Sequence, residues 1–393
     1  MQTISLFSFF CFLYSVFMDQ ANILIIGGGV IGCAIANAVS KRWQDVFLVE
    51  QFPKLGMATS TRNSGVIHSG IYYQKNSLKA RHCVEGNRMM YEFCAKHNVP
   101  HRHTGKLVVA SDANEEADLA ALKKRGEDNG VAGLRIVGPE EIRAREPHIA
   151  GVAALDVPST GIVSAEDLVR TYARLAADNG AHIVTRARVV ALEPKSETIR
   201  VSLRIGDDGD AQDEIIEARC VINAAGLYAD EVAAMLGNNS WKIYPLRGEY
   251  CEIRGPRTWM INGLVYPMPH RHGLSLGVHF TKTLWGTVLV GPTAIYVKGK
   301  DNYERGRLAV ADFARGARTL LPEIEESDLQ LGYSGLRPKL VPPDAADAHG
   351  DFVIQRDPTV PNAIQLVGIE SPGLTSAPSI AEHAAQLAAE VLS

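Results

Sequence analysis

A short apolar run that ends in a cluster of glycines constrains this chain more than any other feature. Residues 22–26 (NILII) lead directly into Gly27-Gly28-Gly29-Val30-Ile31-Gly32. The run reads as a buried parallel strand, residues 30–39 as a helix of small apolar side chains packed tightly on a sheet, and residues 46–50 as a second strand. Together they make a strand–helix–strand unit of about 30 residues. A GxGxxG pattern alone is weak, but here it follows a strand, opens a helix and is answered by Glu50 at the end of the next strand. Gly27 permits the tight turn, Gly29 lets the backbone approach a pyrophosphate, and Gly32 allows close helix–strand packing. The helix start at Val30 and Ile31 offers free N–H groups and a positive dipole to the diphosphate. Glu50 can accept both hydroxyls of an adenosine ribose, and its charge disfavours a 2′-phosphate.

The rest of the chain reads as a second domain threaded through the first. At 393 residues it exceeds the size of one hydrophobic core. Helices are expected over 78–97, 114–129, 140–144, 165–179, 303–320 and 379–392, and strands over 106–110, 182–185, 188–192, 220–223 and 364–368. From 242 to 292 strands (250–254, 274–280, 287–290) follow one another with turns and no helix, the mark of an antiparallel sheet. The expected fold is α/β: a Rossmann-type cofactor domain from 18–95, 160–236 and 335–393, interleaved with an α+β substrate domain from 96–159 and 237–334.

Forty basic against 44 acidic residues give a net charge of −4, which argues against a nucleic-acid-binding surface. The six cysteines form no CxxC pair, and the histidines lack ligand spacing, so packing thiols and no metal are expected. Residues 1–17 are apolar, but no Lys or Arg precedes Lys41, and the run is shorter than the roughly 20 residues of a spanning helix. Met18 is therefore expected to be the translation start of a cytoplasmic protein; an anchor or peripheral membrane contact is the alternative.

Two more segments return to the cofactor: Val221-Ile222-Asn223-Ala224-Ala225-Gly226, a strand delivering small residues, and 368–380 (GIESPGLTSAPSI), a strand passing through a Gly–Pro turn into the last helix. With residues 62–73 (RNSGVIHSGIYY), 78–81 (LKAR), 247–250 (RGEY), 277–281 (GVHFT), 291–292 (GP) and 336–340 (LRPKL), the chain resembles the D-amino-acid oxidase-like FAD-dependent oxidoreductases from Met18 onward. Within them it is most similar to the L-2-hydroxyglutarate dehydrogenase or oxidase group. The resemblance implies FAD, oxidation of an L-2-hydroxy acid to the 2-oxo acid, and re-oxidation by a quinone, the respiratory chain or oxygen. Noncovalent attachment is expected, since no Cys follows Cys251 and Arg62, Asn63 and Ser64 precede Gly65. Cofactor contacts are expected from Thr59, Ser60, Asn63, Ser64, Gly65, Val189, Ala224, Ala225, Gly226, Gly368, Gly373, Leu374 and Thr375.

Oxidation of an α-hydroxy acid sends the C2 hydrogen to flavin N5 as hydride while a base takes the hydroxyl proton. Histidine suits that base, and His68 and His279 are the candidates. A carboxylate substrate calls for cations, for which Arg337 stands first, followed by Arg247, Lys339 and Arg62, with Tyr72 beside them. The competing readings are a flavin amine or imino-acid oxidase of the sarcosine or glycine oxidase type, a glycerol-phosphate dehydrogenase, and a non-catalytic FAD-containing assembly factor.

Overall fold

The computed structural model describes residues 20–207, 209–269, 277–345 and 349–393. The expectations about residues 1–17, and the first part of the strand expected over 274–280, lie outside the described residues.

The glycine cluster follows the central strand of an eight-stranded sheet. Gln20–Ile26 pairs in parallel with Val46–Glu50 on one side and with Gln212–Asn223 on the other. His182–Thr185 extends the sheet beyond Val46–Glu50, and Ala363–Val367 pairs in parallel with the end of Gln212–Asn223. The antiparallel strands Ala187–Pro194, Ile199–Ile205 and Val353–Arg356 complete it. Alternate side chains of the central strand enter two different cores, Ile23 and Ile25 one, Leu24 and Ile26 the other. Burial on both faces explains why this strand is an unbroken apolar run. On the first face lie Val30–Val39, Leu78–His97, Ala165–Asp178 and Gly373–Leu392.

A nine-stranded mixed sheet forms the second body. The strands Leu107–Ala110, Arg135–Val137 and Ala153–Asp156 come from one stretch of chain. Tyr244–Ile253, Leu264–Pro267, His279–Lys282, Val288–Gly291, Ile295–Tyr296 and Leu329–Lys339 come from another. The two sets join where Leu264–Pro267 runs parallel to Leu107–Ala110, so the sheet is not wholly antiparallel. A three-stranded sheet of Val66–Ile67, His101–His103 and Gly161–Val163 lies at the crossings between the two bodies.

Three expectations differ in detail. Leu329–Lys339 pairs with Tyr244–Ile253 along its length, so the boundary placed at 335 falls inside a strand of the second sheet. Only Val310–Ala317 of the helix expected over 303–320 is helical. The last helix starts at Gly373, six residues before the expected 379, and contains Pro378.

Candidate active site

A cavity of about 950 Å³ lies between the two sheets and is lined from both. At one end is the glycine turn. Gly27 has φ +110°, and a Cβ there would stand 2.5 Å from the Ala224 carbonyl oxygen. A Cβ on Gly29 would meet only the Ser60 hydroxyl, at 2.9 Å, while one on Gly32 would collide with the Gly27 carbonyl. Turn, approach and packing are therefore divided among the three glycines as their spacing requires. No side chain of the N-cap residue Gly29 closes the helix Val30–Val39. Ser60 reaches across instead, its hydroxyl accepting from the Val30 N–H at 2.8 Å.

Glu50 is 7% exposed and is held by backbone donors that include Gly28 N–H at 2.7 Å and Phe52 N–H at 2.8 Å. Burial pushes its carboxyl up from the usual range, and the N–H groups of Phe52, Gly28 and Gln51 oppose that shift. The fixed carboxylate faces the cavity beside the turn.

Of the other residues expected at the cofactor, Val30, Ile31, Thr59, Asn63, Ser64, Val189, Ala224, Ala225, Gly226, Gly373 and Leu374 line the cavity. Gly32, Gly65, Gly368 and Thr375 do not. Gly65 and Gly368 are turn residues with φ +66° and +72°. Thr375 is fully buried; its hydroxyl accepts from the His68 N–H at 2.9 Å and donates to the Val66 carbonyl at 3.3 Å. It pins the His68 segment to the last helix.

The two histidines both reach the cavity. His279 is 4% exposed and stacks on Tyr266, with ring centroids 3.7 Å apart and planes 17° apart. Its Nδ1 lies 3.0 Å from the Gly277 carbonyl oxygen, a pure acceptor, which places the proton on Nδ1 and leaves Nε2 as the basic nitrogen. Burial holds this imidazole well below its ordinary range; the Gly277 carbonyl opposes that, and the charges of Lys106, His68 and Arg337 reinforce it. His68 is half-buried. Its Nε2 lies 3.3 Å from the Ser371 hydroxyl, and its buried Nδ1 has no partner among the described residues. Burial, Lys106 and Arg337 push it down to about 3.

The cations separate into free and committed ones. Arg337 lines the cavity, donates a long bond to the Thr293 carbonyl at 3.4 Å and, among the described residues, has no carboxylate in ion-pair contact. Arg62 lies over the Tyr303 ring at 4.4 Å and also lines the cavity. Lys339 does so too, bonded to Glu370 at 3.2 Å. Glu370 is shared with Lys79 at 2.8 Å. Burial alone would push Glu370 up, but the two lysines hold it down to about 2. Two lysines on one carboxylate leave a net positive wall.

Arg247 is placed elsewhere. It is 1% exposed and does not line the cavity. Its guanidinium grips Glu249 at 2.6 Å and donates to the carbonyls of Arg305 at 2.7 Å and Gly306 at 2.9 Å. Strand alternation is the cause: Gly248 and Tyr250 face the cavity, so Arg247 and Glu249 face away. Tyr72 lines the cavity as expected. Behind it stands Lys106, 1% exposed, which motif reading missed because a lysine heading an apolar strand carries no signal of its own. Lys79 and Glu370 lay inside the stretches that carried the resemblance but had been given no role.

The residues present fit a flavin dinucleotide: a glycine turn that a Cβ would fill, a helix start whose N-cap residue has no side chain of its own, and a fixed acid beside them. A profile of FAD dependent oxidoreductases matches residues 22–387. The chain is 34% identical to the mitochondrial L-2-hydroxyglutarate dehydrogenase of Arabidopsis thaliana, over 93% of this chain and 83% of that one. It is 32% identical to the L-2-hydroxyglutarate dehydrogenase of Indibacter alkaliphilus, over 91% and 96%. Among solved structures, dithionite-reduced L-alpha-glycerophosphate oxidase from Mycoplasma pneumoniae, with FAD bound, superposes with a TM-score of 0.85 at 28% identity, covering 95% of both chains. With a family match over nearly its whole length and a cradle that fits the cofactor, this chain belongs to the FAD dependent oxidoreductases.

Proposed function

We propose that this chain oxidises L-2-hydroxyglutarate to its 2-oxo acid, using noncovalently bound FAD as the immediate electron acceptor. The observation that carries the reading is a tautomer-fixed neutral imidazole, His279, sharing a cavity with a guanidinium, Arg337, that has no carboxylate of its own among the described residues. When bound, FAD supplies the site that accepts a hydride. Arg337 takes the carboxylate next to the reacting carbon, its planar fork matching two oxygens. Nε2 of His279 receives the hydroxyl proton while the C2 hydrogen leaves with its electron pair, so the alcohol carbon becomes a ketone. Burial above all, reinforced by the nearby cations Lys106 and Arg337, keeps the imidazole unprotonated before substrate arrives. A doubly negative substrate offsets those cations and raises the proton affinity of the base when it is needed.

Electrons then pass to a quinone or to oxygen. Among the described residues no helix is long and apolar enough to cross a membrane.

The test is anaerobic bleaching of the flavin absorbance. L-2-hydroxyglutarate should reduce it, and the D-enantiomer far more slowly. Bleaching by sarcosine or glycine with none by any hydroxy acid would transfer the assignment to amine oxidation. Retained FAD that neither these substrates nor glycerol phosphate reduces would mean a non-catalytic role.

A further inference from the structure

We propose that Lys106 is the buried cation that equips Tyr72 to bind the substrate's second carboxylate, so that the pair sets a preference for dicarboxylates over monocarboxylates. The proposal rests on the hydroxy-acid reading above and deepens it.

Lys106 precedes the strand Leu107–Ala110, and its backbone exchanges hydrogen bonds with Val157 at 3.1 and 2.9 Å. Its side chain is thereby aimed inward at a fixed place. Nζ donates to the Tyr72 hydroxyl at 3.2 Å and lies 4.5 Å from the Tyr72 ring centroid and 4.6 Å from that of Tyr266. Among the described residues no carboxylate forms an ion pair with it, unlike Lys79 and Lys339, which share Glu370.

An ammonium has hydrogens to give and no lone pair. The Tyr72 oxygen is therefore the acceptor, and its own hydrogen is turned away from Lys106. Tyr72 lines the cavity, so that hydrogen is offered to whatever acceptor enters. A hydroxyl polarised by a cation behind it is a donor suited to an anionic oxygen.

The cation is also electrostatically incomplete. Two aromatic faces attract it, yet a buried charge without a counter-ion is normally unstable. Burial accordingly pulls the ammonium down to about 7. A carboxylate seated on Tyr72 would supply the missing negative charge. A hydroxy acid with one carboxylate is served by Arg337 alone and leaves Lys106 as it was. One with two carboxylates engages both ends.

The experiment compares wild type, Lys106→Met, Tyr72→Phe and the double variant. It measures KM and the limiting flavin-reduction rate for L-2-hydroxyglutarate and for L-lactate. Binding of glutarate, which lacks the hydroxyl and cannot react, is followed in parallel by calorimetry. Each single variant should weaken L-2-hydroxyglutarate and glutarate about tenfold or more, the worth of one charge-assisted hydrogen bond. KM for L-lactate should stay within about threefold of wild type; the limiting rate is read separately, because Lys106 also depresses the His279 imidazole. The double variant should be no worse than the weaker-binding single, because the two residues act as one unit.

Equal weakening of both substrates, a loss confined to the limiting rate, or additive losses would overturn the proposal. If Lys106→Met fails to fold, Tyr72→Phe, which removes one oxygen, decides alone: undiminished glutarate binding refutes the pairing. If no hydroxy acid bleaches wild-type flavin, the substrate reading has failed, and glutarate binding still reports on Lys106 and Tyr72 separately.

Discussion

Replacing Arg247 by Met should cripple stability and spare substrate recognition. Arg247 and Glu249 are 1% and 0% exposed, and the guanidinium meets Glu249 through two nitrogens, at 2.7 Å from Nε and 2.6 Å from Nη2. Methionine fills much of the same volume but leaves Glu249 a buried carboxylate with the Leu308 N–H, at 2.9 Å, and no countercharge. Breaking a buried pair from one side costs about 3–5 kcal/mol. The carbonyls of Arg305 and Gly306 lose their donors as well, which places the expectation at the upper end of that range. Removing both charges, as Arg247→Met with Glu249→Leu, leaves no stranded carboxylate, so the double variant should recover much of the loss. Urea unfolding of the four proteins, followed by tryptophan fluorescence and by flavin release, measures the cycle. KM for L-2-hydroxyglutarate, taken on the folded fraction of the single variant, should remain within about threefold of wild type. An Arg247→Met protein with unchanged stability and a KM raised tenfold or more would refute the reasoning and return Arg247 to the substrate.

Changing His279 to Asn should lower the limiting rate of flavin reduction by ~10²–10⁴ while FAD stays bound; stopped-flow traces matching wild type would dismiss it as the base. Gly27→Ala should give colourless protein, since φ +110° and a Cβ 2.5 Å from the Ala224 oxygen leave the turn no room; FAD content after gel filtration reads this directly. Acid should destabilise the fold early. His68 and His82 sit near 3 and 4, mainly through burial, while in the unfolded chain each takes a proton near 6.5. The unfolded state therefore binds more protons between these values, and stability present above about pH 6.5 is lost as pH falls through that window. Urea midpoints that stay constant from pH 7 to 4 would contradict it.

Where local patterning decides structure, the residues could be read directly. Val30–Val39, Val46–Glu50 and Leu78–His97 occupy the very positions that periodicity assigned them. The glycine turn and Glu50 came with them, because phosphate binding at a helix start needs a contiguous motif. Failures came where the cause is tertiary. The stretch 303–309 is not helical because the chain there wraps the Arg247 guanidinium, lending it the Arg305 and Gly306 carbonyls. Pro378, just before the expected start, lies inside the last helix, where it removes only the bond to the Leu374 carbonyl, close to the free end. Arg247 itself could have been read better: opposite charges two residues apart on a strand share a face, and Gly248 between them marks the other face as the close-packed one. Lys106 had no such signal. Its importance lies in what Tyr72 and Tyr266 bring to it from distant parts of the sequence.

The place of Ala363–Val367 and Gly373–Leu392 in the cofactor-side body bears on how the protein is made. The strand pairs with Val221–Asn223, and the helix packs in the core against Val30–Val39 and supplies Gly373 and Leu374 to the cavity wall. A ribosome delivers the glycine turn first and these pieces more than 300 residues later, which at ~5–20 residues per second means at least about fifteen seconds. Through that interval the nascent chain lacks one strand of the sheet and one of the four helices on its first face, so the apolar surface those pieces cover stays open. Flavin capture must therefore follow synthesis of the last helix, and protein made faster than it can close should accumulate as aggregated apoprotein that added FAD cannot rescue.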